Sequence, residues 1–173
     1  KHPDPIHAAR KVINHGADSV TIHLREDRRH INDLDAKKIC SLKNVLVNLE
    51  ISMNKLIVNK ALKIKPNFVC IVPENRKEIT TEGGLNIKDN LKKLNEIITK
   101  FKKAKIRTSL FINPSLTDIK FARRLNADCV EIHTGKLANL VKSKKNYLKE
   151  LRRIKTSSKL ASSLDLEVHA GHG

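Results

Sequence analysis

Several side chains able to move protons or hold anions sit on short β-branched runs or just beyond them: His23, Arg25 and His30 in one stretch, Glu50, Glu131 and His133 further on, and His172 between two glycines. Imidazoles exchange protons near neutral pH, guanidinium forks match phosphate oxygens, and a buried carboxylate can serve as a base. Together these groups suit acid/base chemistry on an anionic substrate. Taken alone, His23 reads as a satisfied or solvated histidine; two residues from an arginine on the same strand face it becomes a candidate for proton transfer. Glu50 has two readings, a salt-bridge partner of Arg25 or a base with a raised pKa.

The run Arg25-Glu26-Asp27-Arg28-Arg29-His30 reads as a solvated loop at Glu26 and Asp27, whereas Arg25 and His30 are candidates for holding an anion. Thr80-Thr81-Glu82-Gly83-Gly84 precedes a long helical pattern, so its hydroxyls and amides are placed to receive a phosphate near a helix N-terminus. Ala170-Gly171-His172-Gly173 follows a strand pattern, and glycine there permits close approach of the backbone to a ligand.

The elements that must position these groups are legible from hydrophobic spacing. Strands are predicted at Ser19–Leu24, Val45–Ile51, Phe68–Val72, Thr108–Ile112, Cys129–His133 and Leu166–Ala170. Amphipathic helical patterns lie between them. The first has Asp4 as N-cap and Pro5 in its first turn and stops at Asn14-His15-Gly16; another runs from Ile87 to Lys103. Alternation of strand and helix without hairpin signals predicts parallel pairing and an α/β fold.

Side chains alternate along a strand, and the polar ones share a parity. Thr21, His23 and Arg25 oppose Val20, Ile22 and Leu24; Asn48 and Glu50 oppose Val47, Leu49 and Ile51; Ser109 and Asn113 oppose Leu110 and Ile112; Glu131 and His133 oppose Val130 and Ile132. A barrel accommodates this, with the apolar parity meeting helices and the polar parity converging at the C-terminal mouth. An antiparallel sheet with one wet face gives the same alternation, but helical patterns after the strands argue against it. Ala17-Asp18-x-Val20-x-Ile22-His23 recurs as Ala127-Asp128-x-Val130-x-Ile132-His133. Such repetition fits a barrel, although a doubly wound sheet also repeats its units.

The chain has 173 residues, short for a closed eight-unit barrel. Its charge of +17 is spread over nearly every predicted helix, with one Tyr and four Phe as stacking groups, so a nucleic-acid partner is not expected. No stretch is long and apolar enough for a membrane span, and no signal-peptide pattern opens the chain. Cys40, Cys70 and Cys129 lack metal-ligand or disulfide spacing and read as reduced core thiols. A cytoplasmic setting is the expectation.

These stretches, with His2-Pro3-Asp4-Pro5, Thr21-Ile22-His23-Leu24-Arg25-Glu26-Asp27-Arg28-Arg29-His30, Asn48-Leu49-Glu50, Val72-Pro73-Glu74, Ser109-Leu110-Phe111-Ile112 and Glu131-Ile132-His133-Thr134-Gly135, resemble the pyridoxine 5′-phosphate synthase family in order and over essentially the whole chain. The resemblance implies a (β/α)8 TIM barrel of which about six units are present, as a single incomplete domain over residues 1–173. It implies condensation of 1-deoxy-D-xylulose 5-phosphate with 3-amino-2-oxopropyl phosphate to pyridoxine 5′-phosphate, phosphate and water. It implies no metal or organic cofactor, and a homo-oligomer, an octamer in the family. His23 and Glu50 match proton acceptors and His172 a proton donor. Arg25, His30 and Thr80 match contacts to the deoxyxylulose phosphate, Gly173 matches a contact to the amine substrate, and Glu131 joins the site.

The chain departs from the family at both ends, lacking a first strand with Asn-x-Asp-His and an arginine beyond it, and a later Gly-His pair. A fragment is therefore expected, inactive by itself. His169 stands where an asparagine is usual and Asn113 where an aspartate is. An inactive remnant, another phosphate-sugar barrel such as an epimerase or aldolase, and a basic RNA-associated module are the competing readings. The aldolase needs an inward Schiff-base lysine, and the polar parity contains none.

Overall fold

The computed structural model describes residues 3–74 and 83–172. Six strands alternate with helices: α1 (Pro5–Asn14), β1 (Ser19–His23), α2 (Asp33–Cys40), β2 (Leu46–Ile51), α3 (Lys55–Ile64), β3 (Phe68–Ile71), α4 (Leu91–Lys103), β4 (Arg107–Ile112), α5 (Leu116–Arg124), β5 (Cys129–His133), α6 (Gly135–Lys142), α7 (Leu148–Ser163) and β6 (Glu167–Gly171). Among the described residues all five strand pairings are parallel and the strand order is β1-β2-β3-β4-β5-β6. A doubly wound sheet reverses its order at a switch point; this one never does, and it forms a partial (β/α) barrel.

Local chemistry explains the helix limits. Asp4 Oδ1 accepts the Ile6 and His7 amides, with Pro5 at the first helical position, as its sequence predicts. α1 ends at a glycine of positive φ, Gly16 at 97°. The helical pattern predicted from Ile87 opens instead as a 3-10 turn at Lys88–Asn90, and α-helix begins at Leu91. Asn86 ties down that turn, accepting the Asp89 amide and donating to the Asp89 carboxylate, so the chain turns before the ladder of α4 starts.

The apolar parity meets the helices as predicted. Leu49, Ile51, Val69, Ile71, Leu110, Ile112 and Val130 pack with Ile57, Val58, Leu94, Ile98, Phe101, Ile119 and Ala161 in one buried core. α1 and α2 close the β1 side with Ala9, Ile39 and Val47. The opposite parity is less uniformly ionisable than its sequence suggests, because Cys70, Val72 and Phe111 form a separate buried cluster on it. Phe111 shares parity with Ser109, so it must point inward once Leu110 and Ile112 face the helices. A cavity of about 550 Å³ runs along this concave face, lined from all six strands by residues including Thr21, Asn48, Phe68, Ser109, Glu131 and His169. Among the described residues, no helix is long and apolar enough to cross a membrane.

Candidate active site

Register builds the centre of the site. His23 and Glu50 are direct partners across the β1–β2 pair, which places the imidazole Nδ1 3.5 Å from Glu50 Oε2. Glu74, just beyond β3, approaches the other side of the ring, with Oε2 3.7 Å from His23 Nε2. The ring is thus flanked by two carboxyl groups, with its side chain 10% exposed and theirs 12% and 1%. His30 meets His23 edge to face at 5.7 Å between centroids.

Burial inverts the usual proton affinities of the His23–Glu50 pair. Loss of hydration, then the charges of Arg25, His30 and His172, lower His23 from 6.5 to about 4. Burial, then the negative charge of Glu131, raises Glu50 from 4.5 to about 7. Near neutral pH the imidazole is therefore uncharged and the carboxyl exchanges its proton freely. Of the two readings of Glu50, the raised carboxyl describes it and the Arg25 salt bridge does not.

Arg25 is directed elsewhere. Its side chain is 1% exposed, with Nε 3.4 Å from Asp27 Oδ1 and a terminal nitrogen 3.9 Å from Glu74 Oε1. The following loop is tied down rather than freely solvated. Asp27 is exposed as expected and holds Arg29. Glu26 is not: its carboxylate accepts from Ser52 Oγ at 2.8 Å and Asn54 Nδ2 at 3.0 Å, and its amide donates to Glu74 Oε1. These bonds bind the β1 loop to the ends of β2 and β3.

On the far side of the cavity, His172 and His133 lie 5.7 Å apart, and Phe111 touches both rings. His172 has φ 63°, a conformation uncommon outside glycine. Thr134 holds it there, its hydroxyl donating to the Gly171 and His172 carbonyls at 2.7 and 3.2 Å. Glu131 faces inward beside the Cys70 thiol and lies against Gly171, where a Cβ would stand 2.1 Å from Glu131 Oε1. The structure therefore brings together His23, Glu50, Arg25, His30, Glu131 and His172. Thr80 and Gly173 lie outside the described residues. Glu74 and Phe111 are the site neighbours that carry no role from sequence reasoning, although strand parity already turns Phe111 inward, as it does His133.

The two departures from family pattern are both engaged by protein partners. Asn113 Oδ1 accepts the Gly84 amide at 3.1 Å, so that amide is engaged by protein rather than open to a phosphate. A Cβ on Gly84 would lie 2.2 Å from the Asn113 nitrogen, and the glycine is there for backbone packing. His169 Nε2 bonds Glu167 Oε1 at 2.8 Å, toward the other end of the cavity. There Cys129, Glu167 and His169 bring donor atoms within 4.8 Å of one another. Arg107 stands among them, 2.5 Å from Glu167 Oε2 and 3.6 Å from Cys129 Sγ, so a guanidinium already balances that carboxylate.

The whole chain, residues 1–173, matches the family described as "Pyridoxal phosphate biosynthesis protein PdxJ". A pyridoxine 5′-phosphate synthase of Pelagibacter ubique (strain HTCC1062) is 60% identical over 172 residues, 99% of this chain and 72% of that protein. One from Prochlorococcus marinus (strain MIT 9211) is 48% identical over 171 residues, 99% of this chain and 70% of that protein. In fold, the chain resembles D-psicose 3-epimerase from Clostridium cellulolyticum H10, with TM-score 0.57 and 9% identity, covering 98% of this chain and 68% of that one. It also resembles a monomeric form of phosphoribosylanthranilate isomerase from Thermotoga maritima, with TM-score 0.52 and 12% identity, covering 96% and 82%. Those two likenesses concern the barrel alone. With 60% identity to a pyridoxine 5′-phosphate synthase over nearly its full length, the chain belongs to the pyridoxine 5′-phosphate synthase (PdxJ) family.

Proposed function

We propose that this chain forms the larger part of a cytoplasmic enzyme that condenses 1-deoxy-D-xylulose 5-phosphate with 3-amino-2-oxopropyl phosphate to give pyridoxine 5′-phosphate, phosphate and water. The observation that supports it most is the His23–Glu50 pair, 3.5 Å apart with proton affinities inverted by burial. Imine formation, eliminations and ring closure are successive proton transfers. A neutral imidazole and a carboxyl near 7 can accept those protons in turn. His172, held across the cavity by Thr134, is the donor to the leaving oxygen. Arg25 and His30 contact the deoxyxylulose phosphate, with Thr80 as a further contact; Gly173 contacts the amine substrate. Glu131 supports the site through its charge on Glu50.

Residues 1–173 are read as one incomplete barrel domain. Among the described residues β1 and β6 each pair on one side only, and an open parallel edge invites completion by further strands. Turnover therefore belongs to the full-length protein, which we place in a homo-oligomer as in the family, and the 173 residues alone are expected to be inactive.

The deciding experiment supplies both substrates to the full-length protein and follows pyridoxine 5′-phosphate and inorganic phosphate. Stoichiometric formation of both is expected. No product from a folded, full-length protein would favour the inactive remnant, and turnover of the isolated 173 residues would sink the claim that completion is required.

A further inference from the structure

Glu74 is built to address one atom. Its Oε1 accepts the Glu26 backbone N–H at 2.8 Å and lies 3.9 Å from the Arg25 guanidinium. That leaves Oε2 directed at His23 Nε2, 3.7 Å away, with the Glu74 side chain only 1% exposed. Both facing atoms are buried, and neither has a hydrogen-bond partner among the described residues. Buried polar atoms are costly to leave unpaired, and a slight closure pairs these two if the imidazole carries its proton on Nε2. Hydrogen bonds of this kind are often long before substrate binds.

We propose that Glu74 is a positioning residue that sets the tautomer of His23, taking the Nε2–H and leaving the Nδ1 lone pair on the side of Glu50. The nitrogen that works as a base is decided by the hydrogen bond made at the other. In this arrangement Nδ1 accepts a proton from substrate, the imidazolium so formed is balanced by the Glu74 carboxylate, and the proton returns from Nδ1 to substrate. No bond to Glu74 forms or breaks. The proposal rests on His23 being the base assigned above, and nothing in the resemblance gives Glu74 a role.

The test is ¹⁵N NMR of histidine-labelled full-length protein, read with kinetics. Wild type is expected to show the Nε2–H tautomer at His23. In Glu74→Gln the amide oxygen keeps the Glu26 N–H, so the amide NH2 faces Nε2, donates to it and drives the proton to Nδ1. A wrong tautomer in a comparable triad costs about 10⁴-fold in kcat; here a loss of about 100-fold or more is expected, with KM within about threefold. Glu74→Asp, which restores the acceptor, should return the Nε2–H tautomer and part of kcat. An Nδ1–H tautomer in wild type, or an unchanged tautomer in a folded Glu74→Gln protein, overturns the proposal. The NMR needs no substrate, so a failure to make pyridoxine 5′-phosphate would count against the proposed function and not against this assignment.

Discussion

Replacing Glu50 by glutamine is expected to stabilise the protein above neutral pH while disabling it. Glu50 is 9% exposed and faces the Glu131 charge, which together raise its pKa from 4.5 to about 7. The folded state therefore binds this proton more tightly than the unfolded chain does. Its favourable contribution is complete below pH 4.5, declines as pH rises, and is lost above pH 7. At 1.36 kcal/mol per pKa unit, the charged carboxylate costs about 3 kcal/mol of stability at pH 8. Glutamine has nearly the same shape and no charge to bury. The shift of His23, lowered to about 4, acts in the opposite sense, its contribution being lost as pH falls from 6.5 through 4; His23 is present in both proteins and largely cancels from their difference. Urea denaturation of both full-length proteins at several pH values between 4 and 8 measures that difference. Near-equality at pH 4 and an advantage for Glu50→Gln of about 3 kcal/mol at pH 8 are expected. The same variant should lose about 100-fold or more in kcat, the scale of general acid–base catalysis. A stability difference that does not change with pH would refute the assignment of Glu50 as a buried, proton-holding carboxyl, and near-normal kcat would refute its catalytic role.

Gly84→Ala places a Cβ 2.2 Å from the Asn113 nitrogen and 2.4 Å from the Ile112 carbonyl carbon, backbone atoms that cannot turn aside. A loss of about 1 to 3 kcal/mol is expected, with faster hydrogen exchange of the Leu85 amide, which donates to the Phe111 carbonyl at 2.8 Å; an unchanged denaturation midpoint would be inconsistent with this. Gly171→Ala meets a side chain instead, Glu131 Oε1 at 2.1 Å, so Glu131 can yield. Stability should change little, while the acid limb of the pH–rate profile moves down as the Glu131 charge leaves Glu50, and an unmoved limb argues against that coupling. Lys65→Gly relieves a left-handed lysine, φ 56° and ψ 60°, at the end of α3. Glycine should gain roughly 0.5 to 1 kcal/mol there, the left-handed penalty less glycine's own entropy, and a destabilised variant would show that the lysine stem packs usefully.

Amino-acid order alone determined the strand–helix alternation, the N-cap at Asp4 and the parity that turns His23, Glu50 and Glu131 away from the helices. These follow from period and local capping, which act over a few residues. The matching motifs named the chemistry for the same reason, since they are contiguous. Arg25 shows where that reach stops: its parity with His23 is local, but its neighbours Glu74 and Asp27 come from a distant loop and from the turn it enters. Only the tertiary structure decided that His23 sits between two carboxyl groups, that Glu50 holds a proton near neutrality, and that Gly84 packs against the backbone at the end of β4. Each depends on strand register, on sheet curvature bringing β1 and β6 around one cavity, and on burial, which are sums over residues far apart in the chain and have no signature in any short segment of it.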